Sequence, residues 1–398
     1  MALSVSSVCR NITPSAILRL NALAAEKRKQ GLDIISLAAG EPDFPTPAHI
    51  RAAGKAAIEA GRTVYTATAG IPDLRAALAR HYQEKGVNYQ PNQLIVTTGA
   101  KQALVGALMA LLNPGDEVLL PAPCWLSYPE MIRMAGGVPV VVNASAEEGY
   151  IPPIKRLEAA VSAKTKALIL NNPSNPTGAV WSERQLRELA ELAKKYDFAV
   201  ISDEIYETLC YEGRSGTIFA GLSEDAFERT ITVSGFSKAY AMTGWRLGYA
   251  AGPRAVIAAM DAWQGHATGN PCSVSQYAGL EAITGDQSGV EVMRLAFEKR
   301  RALLLSLLDG MPGVRYAVPY GAFYVLVDVS ALLEKSYRGE KLANAGRFCE
   351  LLMEHALVSV VPGDGFFAPG CVRISYAIDE SRLAEAGRRV KAFITELE

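Results

Sequence analysis

The order of short apolar runs constrains this chain more than any other feature. Runs at 94–97, 117–120, 138–142, 167–170, 199–201 and 230–233 alternate with helical patterns, among them an amphipathic stretch over 182–196 that opens on the capping-type residue Ser182. Strands separated by helices do not pair as tight hairpins and must cross over, so the pattern predicts an α/β fold with a mostly parallel sheet flanked by helices. In such sheets ligands gather outside the carboxyl ends of the strands. The residues that follow each run are therefore the ones that carry chemistry.

Length adds a second body. At 398 residues the chain exceeds one ordinary core. Beyond residue 285 the texture changes to a long charged helix over 290–308, then GAFYVLVDV, VSVVPG, VRISYA and a last helix, the make-up of a smaller α+β domain. At the start a helix is expected over 15–30, after which the prolines of LAAGEPDFPTP prevent regular structure. The expected division is an N-terminal arm (1–45), a large domain (46–284) and a smaller domain (285–398) against which the arm packs.

Lys and Arg total 40 against 41 Asp and Glu, so no large field is present to draw in nucleic acid or an anionic membrane. No run reaches the length of a membrane span and no apolar leader stands at the start, which makes the cytoplasm the expected compartment. The six cysteines form no CxxC pair and read as reduced core thiols, and the four histidines form no ligand-like group. Neither a metal site nor a Ser-His triad is expected.

Four segments stand out at strand ends. SGFSKAYAMTGWRLGY follows TITV and sets Lys238 and Arg246 among small and hydroxyl residues. A desolvated lysine there loses its charge more readily and its amine becomes a nucleophile for an aldehyde; Arg246 offers a rigid fork for phosphate, with Ser234 or Ser237 adding a hydroxyl. In AVISDEIYETL a strand ends at Asp203, with Tyr206 following; an acid there suits a protonated ring nitrogen, and it equally suits a helix N-cap. LNNPSNPTGAV brings Asn175 to the same edge in a run of ordinary turn residues. TTGAKQALVGAL reads as strand, glycine turn and helix start, where the N–H groups of Gly99, Ala100 and Lys101 make an anion seat. There is no P-loop, and the Rossmann-like match at 363–368 is stopped by Pro369-Gly370 and reads as a turn.

These segments, together with AAGEPDFPTP, YTATAGIPDLR and VRISYA, resemble the fold-type I aminotransferases in order and spacing, and most of all the aspartate aminotransferase branch. The resemblance implies pyridoxal 5′-phosphate held by Lys238 as a Schiff base, with the same amine later shuttling a proton. It implies Asp203 at the pyridine nitrogen, Asn175 and Tyr206 at the 3-oxygen, Trp125 on the ring face, and Gly99, Ala100, Lys101, Ser237 and Arg246 around the phosphate. Arg373 and Gly40 are implied at the substrate α-carboxylate, with Trp125 and Asn175 also touching substrate. Tyr65 resembles the tyrosine given to a neighbouring subunit's phosphate, so a homodimer is expected.

The activity implied is amino transfer between an amino acid and a 2-oxo acid, with aspartate and glutamate preferred because Lys101 stands where relatives bind a distal carboxylate. Ile17 departs from the hydroxyl residue that often joins that contact, which opens the way to a bulkier dicarboxylate such as prephenate. A carbon–sulfur β-lyase or an aminocyclopropane-carboxylate synthase of the same fold shares the cofactor residues and stays open at this point, as does a regulatory protein that keeps the fold without turnover.

Overall fold

The computed structural model describes residues 3–10, 12 and 16–398. Its main sheet holds seven strands: β1 (Leu94–Thr97), β2 (Glu117–Ala122), β3 (Val138–Asn143), β4 (Thr165–Asn171), β5 (Ala199–Asp203), β6 (Thr230–Gly235) and β7 (Gly248–Ala251), in spatial order β1-β7-β6-β5-β4-β2-β3. The neighbours from β6 through β3 are parallel, while β7 runs antiparallel to both β6 and β1. The expected six strands are all present, several longer than predicted. β7 was not anticipated: Gly-Tyr-Ala-Ala lacks the β-branched run that marks a strand. Because two antiparallel steps separate β1 from β6, both point the same way, and the ends of β1, β2, β4, β5 and β6 open on one edge.

Why the sheet is buried on both sides is visible in β4. Ala167 and Ile169 enter one apolar cluster with Leu104, Leu108 and Met260, while Leu168 and Leu170 enter another with Leu186 and Leu189. Side chains alternate across a strand, so an unbroken apolar run feeds two cores at once. The helix Glu183–Tyr196 that covers one face starts as predicted: Ser182 Oγ accepts from Gln185 N at 3.3 Å, and the Gln185 side chain accepts from Ser182 N at 3.0 Å.

A second, antiparallel sheet holds β8 (Arg315–Tyr316), β9 (Tyr324–Asp328), β10 (Val361–Pro362) and β11 (Cys371–Ser375), in order β10-β11-β9-β8. It packs with the helices Ser288–Leu308, Ala345–His355 and Glu380–Thr395 through Phe297, Leu352 and Phe393. The first long helix spans Ala16–Lys29; Ser15 and the side chain of Ile17 lie outside what is described. Ala24 and Ile34 pack on Met353, and Ile35–Ser36 pairs in parallel with Val358–Ser359. Residues 37–47 are irregular, as their prolines require. No described helix is long and apolar enough to cross a membrane. The thiols correct one expectation: Cys124, Cys210, Cys349 and Cys371 are buried, but Cys9 and Cys272 are exposed.

Candidate active site

A cavity of about 220 Å³ opens at the carboxyl edge of the main sheet, between it and the start of β9 and middle of β11. Lys238, three residues beyond β6, reaches into it and donates from Nζ to the Gly40 carbonyl at 2.5 Å. Burial lowers its pKa to about 8, opposed by the charge of Glu41. An amine in that range is neutral in a useful fraction near neutral pH, which is what a nucleophile or proton carrier needs.

Asp203 ends β5 and is 3% exposed. The Tyr128 hydroxyl donates to its Oδ2 at 2.7 Å and the Ile205 N–H to Oδ1 at 3.2 Å. Burial pushes its pKa up to about 6, and those two donors with Lys238 limit the rise. The carboxylate is therefore a buried anion facing a cavity, held by neutral donors. Tyr206, also buried, stands with its hydroxyl 3.1 Å from that of Tyr324.

The anion seat differs from its prediction. Gly99 has φ +79° and its N–H turns back to the Thr97 carbonyl at 2.8 Å, so its amide is engaged within the turn and the residue does not line the cavity. Its service is clearance: a Cβ there would lie 2.6 Å from Nη2 of Arg246. Ala100 and Lys101, at the start of the helix Ala100–Leu111, do line the cavity. Arg246 is held in left-handed backbone at φ +54° and donates from Nη1 to the Thr243 carbonyl at 2.8 Å. Ser237 lines the cavity; Ser234 does not, and donates instead to the Glu204 carbonyl at 3.4 Å behind the sheet edge. Lys101 Nζ lies 4.9 Å over the Trp125 ring, and desolvation with the charge of Arg246 lowers its pKa.

Across the cavity Arg373, on β11, is 1% exposed. Nη1 donates to Asn175 Oδ1 at 3.0 Å and Nη2 to the Ala38 carbonyl at 2.9 Å, while Nε has no partner. Asn175 is itself fixed, its N–H donating to Asn171 Oδ1 at 2.8 Å. Gly40 lines the same side. Sequence reading missed Tyr128, Asn171, Thr243 and Tyr324, all of which line the cavity. Tyr65 is 95% exposed and lies outside the pocket of its own chain.

Residues 32–390 match the family described as aminotransferase class I and II. The aspartate aminotransferase of Bacillus sp. (strain YM-2) is 42% identical over 386 residues, 97% of each chain. The aspartate/prephenate aminotransferase of Thermus thermophilus is 46% identical over 381 residues, 94% of this chain and 95% of that one. Among solved structures, the aspartate aminotransferase from Thermus thermophilus with maleate matches with a TM-score of 0.92 at 44% identity, covering 98% of this chain and 100% of that one.

Proposed function

The chain belongs to the class I and II aminotransferases, and from that premise we propose that its pocket takes pyridoxal 5′-phosphate at Lys238 and moves an amino group between an acidic amino acid and a 2-oxo acid. Transamination of amino acids follows from the family and from full-length likeness to enzymes named for it; carbon–sulfur β-elimination is not favoured by those names.

The observation that carries the reading is the charge of the cavity wall. Lys101, Lys238, Arg246 and Arg373 face it with Asp203 as the lone carboxylate among its lining residues. Their hydrogen bonds go to three carbonyls and an amide oxygen, and Lys101, Lys238 and Arg373 otherwise face aromatic rings. Such a wall suits a ligand with a phosphate and a substrate with carboxylates.

The residues fit the cofactor. A nucleophilic amine and a buried carboxylate face one cavity, and at its rim Gly99 leaves just the space that Arg246 occupies. When bound, pyridoxal phosphate supplies an aldehyde for the amino group and a cationic ring that draws electrons from Cα. Asp203 would keep the ring nitrogen protonated, Asn175 and Tyr206 would bind the 3-oxygen, and Trp125 would cover the ring. Ala100, Ser237 and Arg246 would hold the phosphate, Gly99 contributing by clearance, and Lys101 beside them would meet the distal carboxylate of the substrate. Arg373 grips the α-carboxylate through a fork whose other donors are already fixed, beside Gly40. Lys238 Nζ then takes the proton from Cα and returns one on the way to product.

We take residues 46–284 as the cofactor-binding domain and 285–398 with the arm as the cover. Tyr65, exposed here, projects to the phosphate of a second copy, making a homodimer. Mixing Lys238→Ala and Tyr65→Ala proteins then restores activity at one site of each hybrid; mixtures as inactive as their parents contradict it. Substrate class is tested by adding single amino acids to the cofactor-loaded protein and watching its absorbance. Aspartate and glutamate are expected to convert it, with prephenate the first further acceptor to try. Release of pyruvate from a sulfur amino acid with no 2-oxo acid present would point to the lyase.

A further inference from the structure

Tyr324 is the one buried aromatic side chain of the cavity that touches both halves of the site and has been given no part. β9 and β11 pair with Leu326 opposite Arg373 and Tyr324 opposite Ser375, so 324 and 373 are diagonal neighbours on one face. The Arg373 guanidinium carbon lies 4.4 Å from the Tyr324 ring centre and 5.2 Å from that of Phe366. The Tyr324 ring stands nearly perpendicular to that of Tyr206, at 85°, with the two hydroxyls 3.1 Å apart.

We propose that Tyr324 is a positioning residue that couples the two halves of the site: its ring fixes the plane of Arg373, and its hydroxyl donates to the Tyr206 phenol. The proposal rests on the function given above, in which Tyr206 faces the 3-oxygen and Arg373 the α-carboxylate.

The geometry leaves little freedom. Two phenols 3.1 Å apart share one hydrogen bond, and either can donate. Once Tyr206 turns its proton toward an anionic oxygen, the pair stays satisfied only if Tyr324 donates to Tyr206. Hydrogen bonds in series polarise one another, so this second bond strengthens the first. Tyr206 is also faced by Arg373 from β11, Asp203 from β5, Tyr128 from the helix Ser127–Met134 and Lys238 from beyond β6. Of these, Arg373 favours its ionised form and Asp203 opposes it. At Arg373 the aromatic contacts hold a group whose two Nη atoms are already engaged, leaving Nε unpartnered.

Two variants separate the parts. Tyr324→Phe removes only the hydroxyl, and Tyr324→Leu removes the ring as well. Each is loaded with pyridoxal phosphate and read by the pH midpoint of its absorbance and by calorimetric affinity for maleate. Without the hydroxyl, Tyr206 donates more weakly, more negative charge stays on the 3-oxygen, and the neighbouring proton is held more tightly. The Phe variant is expected to raise the midpoint by about half a unit while maleate affinity stays within about twofold. The Leu variant is expected to show the same rise together with roughly tenfold weaker maleate binding. A Phe variant with the wild-type midpoint overturns the relay, and a Leu variant with wild-type maleate affinity overturns the role at Arg373. Failure of the wild type to take up the cofactor at Lys238 would instead strike the proposed function itself.

Discussion

Asp203 and Glu204 are consecutive, both buried, and end on opposite faces of the sheet edge. Asp203 meets the cavity; Glu204 turns to the rear, where its Oε1 accepts from Ser202 Oγ at 2.8 Å and from the Phe219 N–H at 3.2 Å, while Oε2 has no partner. Burial raises both, Asp203 to about 6 and Glu204 to about 8. Partners make the difference. A hydroxyl, a backbone N–H and a lysine hold each down (Tyr128, Ile205 and Lys238 for the first, Ser202, Phe219 and Lys85 for the second), but only the second is also lifted by a neighbouring carboxylate, Glu207. At neutral pH Asp203 is an anion waiting for a cation, and Glu204 is a neutral acid that braces the backbone. Burial alone does not mark a functional carboxylate; what faces it does.

The largest effect that tests this contrast lies on the cavity side. Lys238→Ala is expected to lower turnover by at least the ~10²–10⁴-fold that a positioned proton carrier contributes, while the protein still folds and binds the cofactor noncovalently. Borohydride reduction followed by peptide mapping checks the attachment, and a label on another lysine would overturn it. Because the free amine titrates at about 8, cofactor uptake by the empty protein should quicken as pH rises toward 8 and then level off.

Next comes the front carboxylate itself. Asp203→Ala removes the counter-ion of the ring nitrogen and is expected to cost on the order of 10²–10³ in kcat, with thermal stability little changed or raised because a buried charge is lost. Near-wild-type turnover would place the electron sink elsewhere.

Lys101→Ala is expected to act on selectivity. A charge-assisted contact contributes about 1.5–3 kcal/mol, so kcat/KM for aspartate should fall roughly ten- to a hundredfold while that for an aromatic amino acid changes little. An equal fall for both would mean that Lys101 serves the phosphate, beside Arg246, and that the acidic preference has another source.

Much of this site was legible because it lies at the ends of strands that the apolar runs announce: Lys238, Asp203 and Asn175 each follow such a run, and all three line the cavity. What escaped depends on contacts across the chain. Tyr128 meets Asp203 over 75 positions and Tyr324 meets Tyr206 over 118, and nothing local in PAPCWLSYPE or GAFYVLVDV singles either out. Gly99 shows a local limit: a motif shows that a turn is present but not that its amide bends back on Thr97. Ser234 still lies within β6 and Ser237 two residues past its end, and only the latter lines the cavity, a matter of where the strand stops.

The smallest expected change in activity belongs to Glu204→Gln, and it sharpens the comparison most. Glutamine keeps the shape and the acceptor that Ser202 and Phe219 use, so turnover should stay within about twofold of wild type, against the hundredfold or more expected at Asp203. Stability is where the two proteins part. The folded value of Glu204, about 8, lies above its ordinary 4.5. Its contribution is therefore fully present below about 4.5 and is lost as pH rises through about 8, because the unfolded chain ionises while the folded one resists. Lys85, Glu207, Tyr82 and Tyr89, which face the same group, are common to both proteins and largely cancel in the difference. The stability of Glu204→Gln should match wild type near pH 4.5 and exceed it increasingly up to pH 8, by on the order of a few kcal/mol at most, with Tm following. Melting curves at three pH values decide it. A gap that does not grow with pH would show that Glu204 ionises at its ordinary value in the fold, and with that the contrast between the two faces would fail.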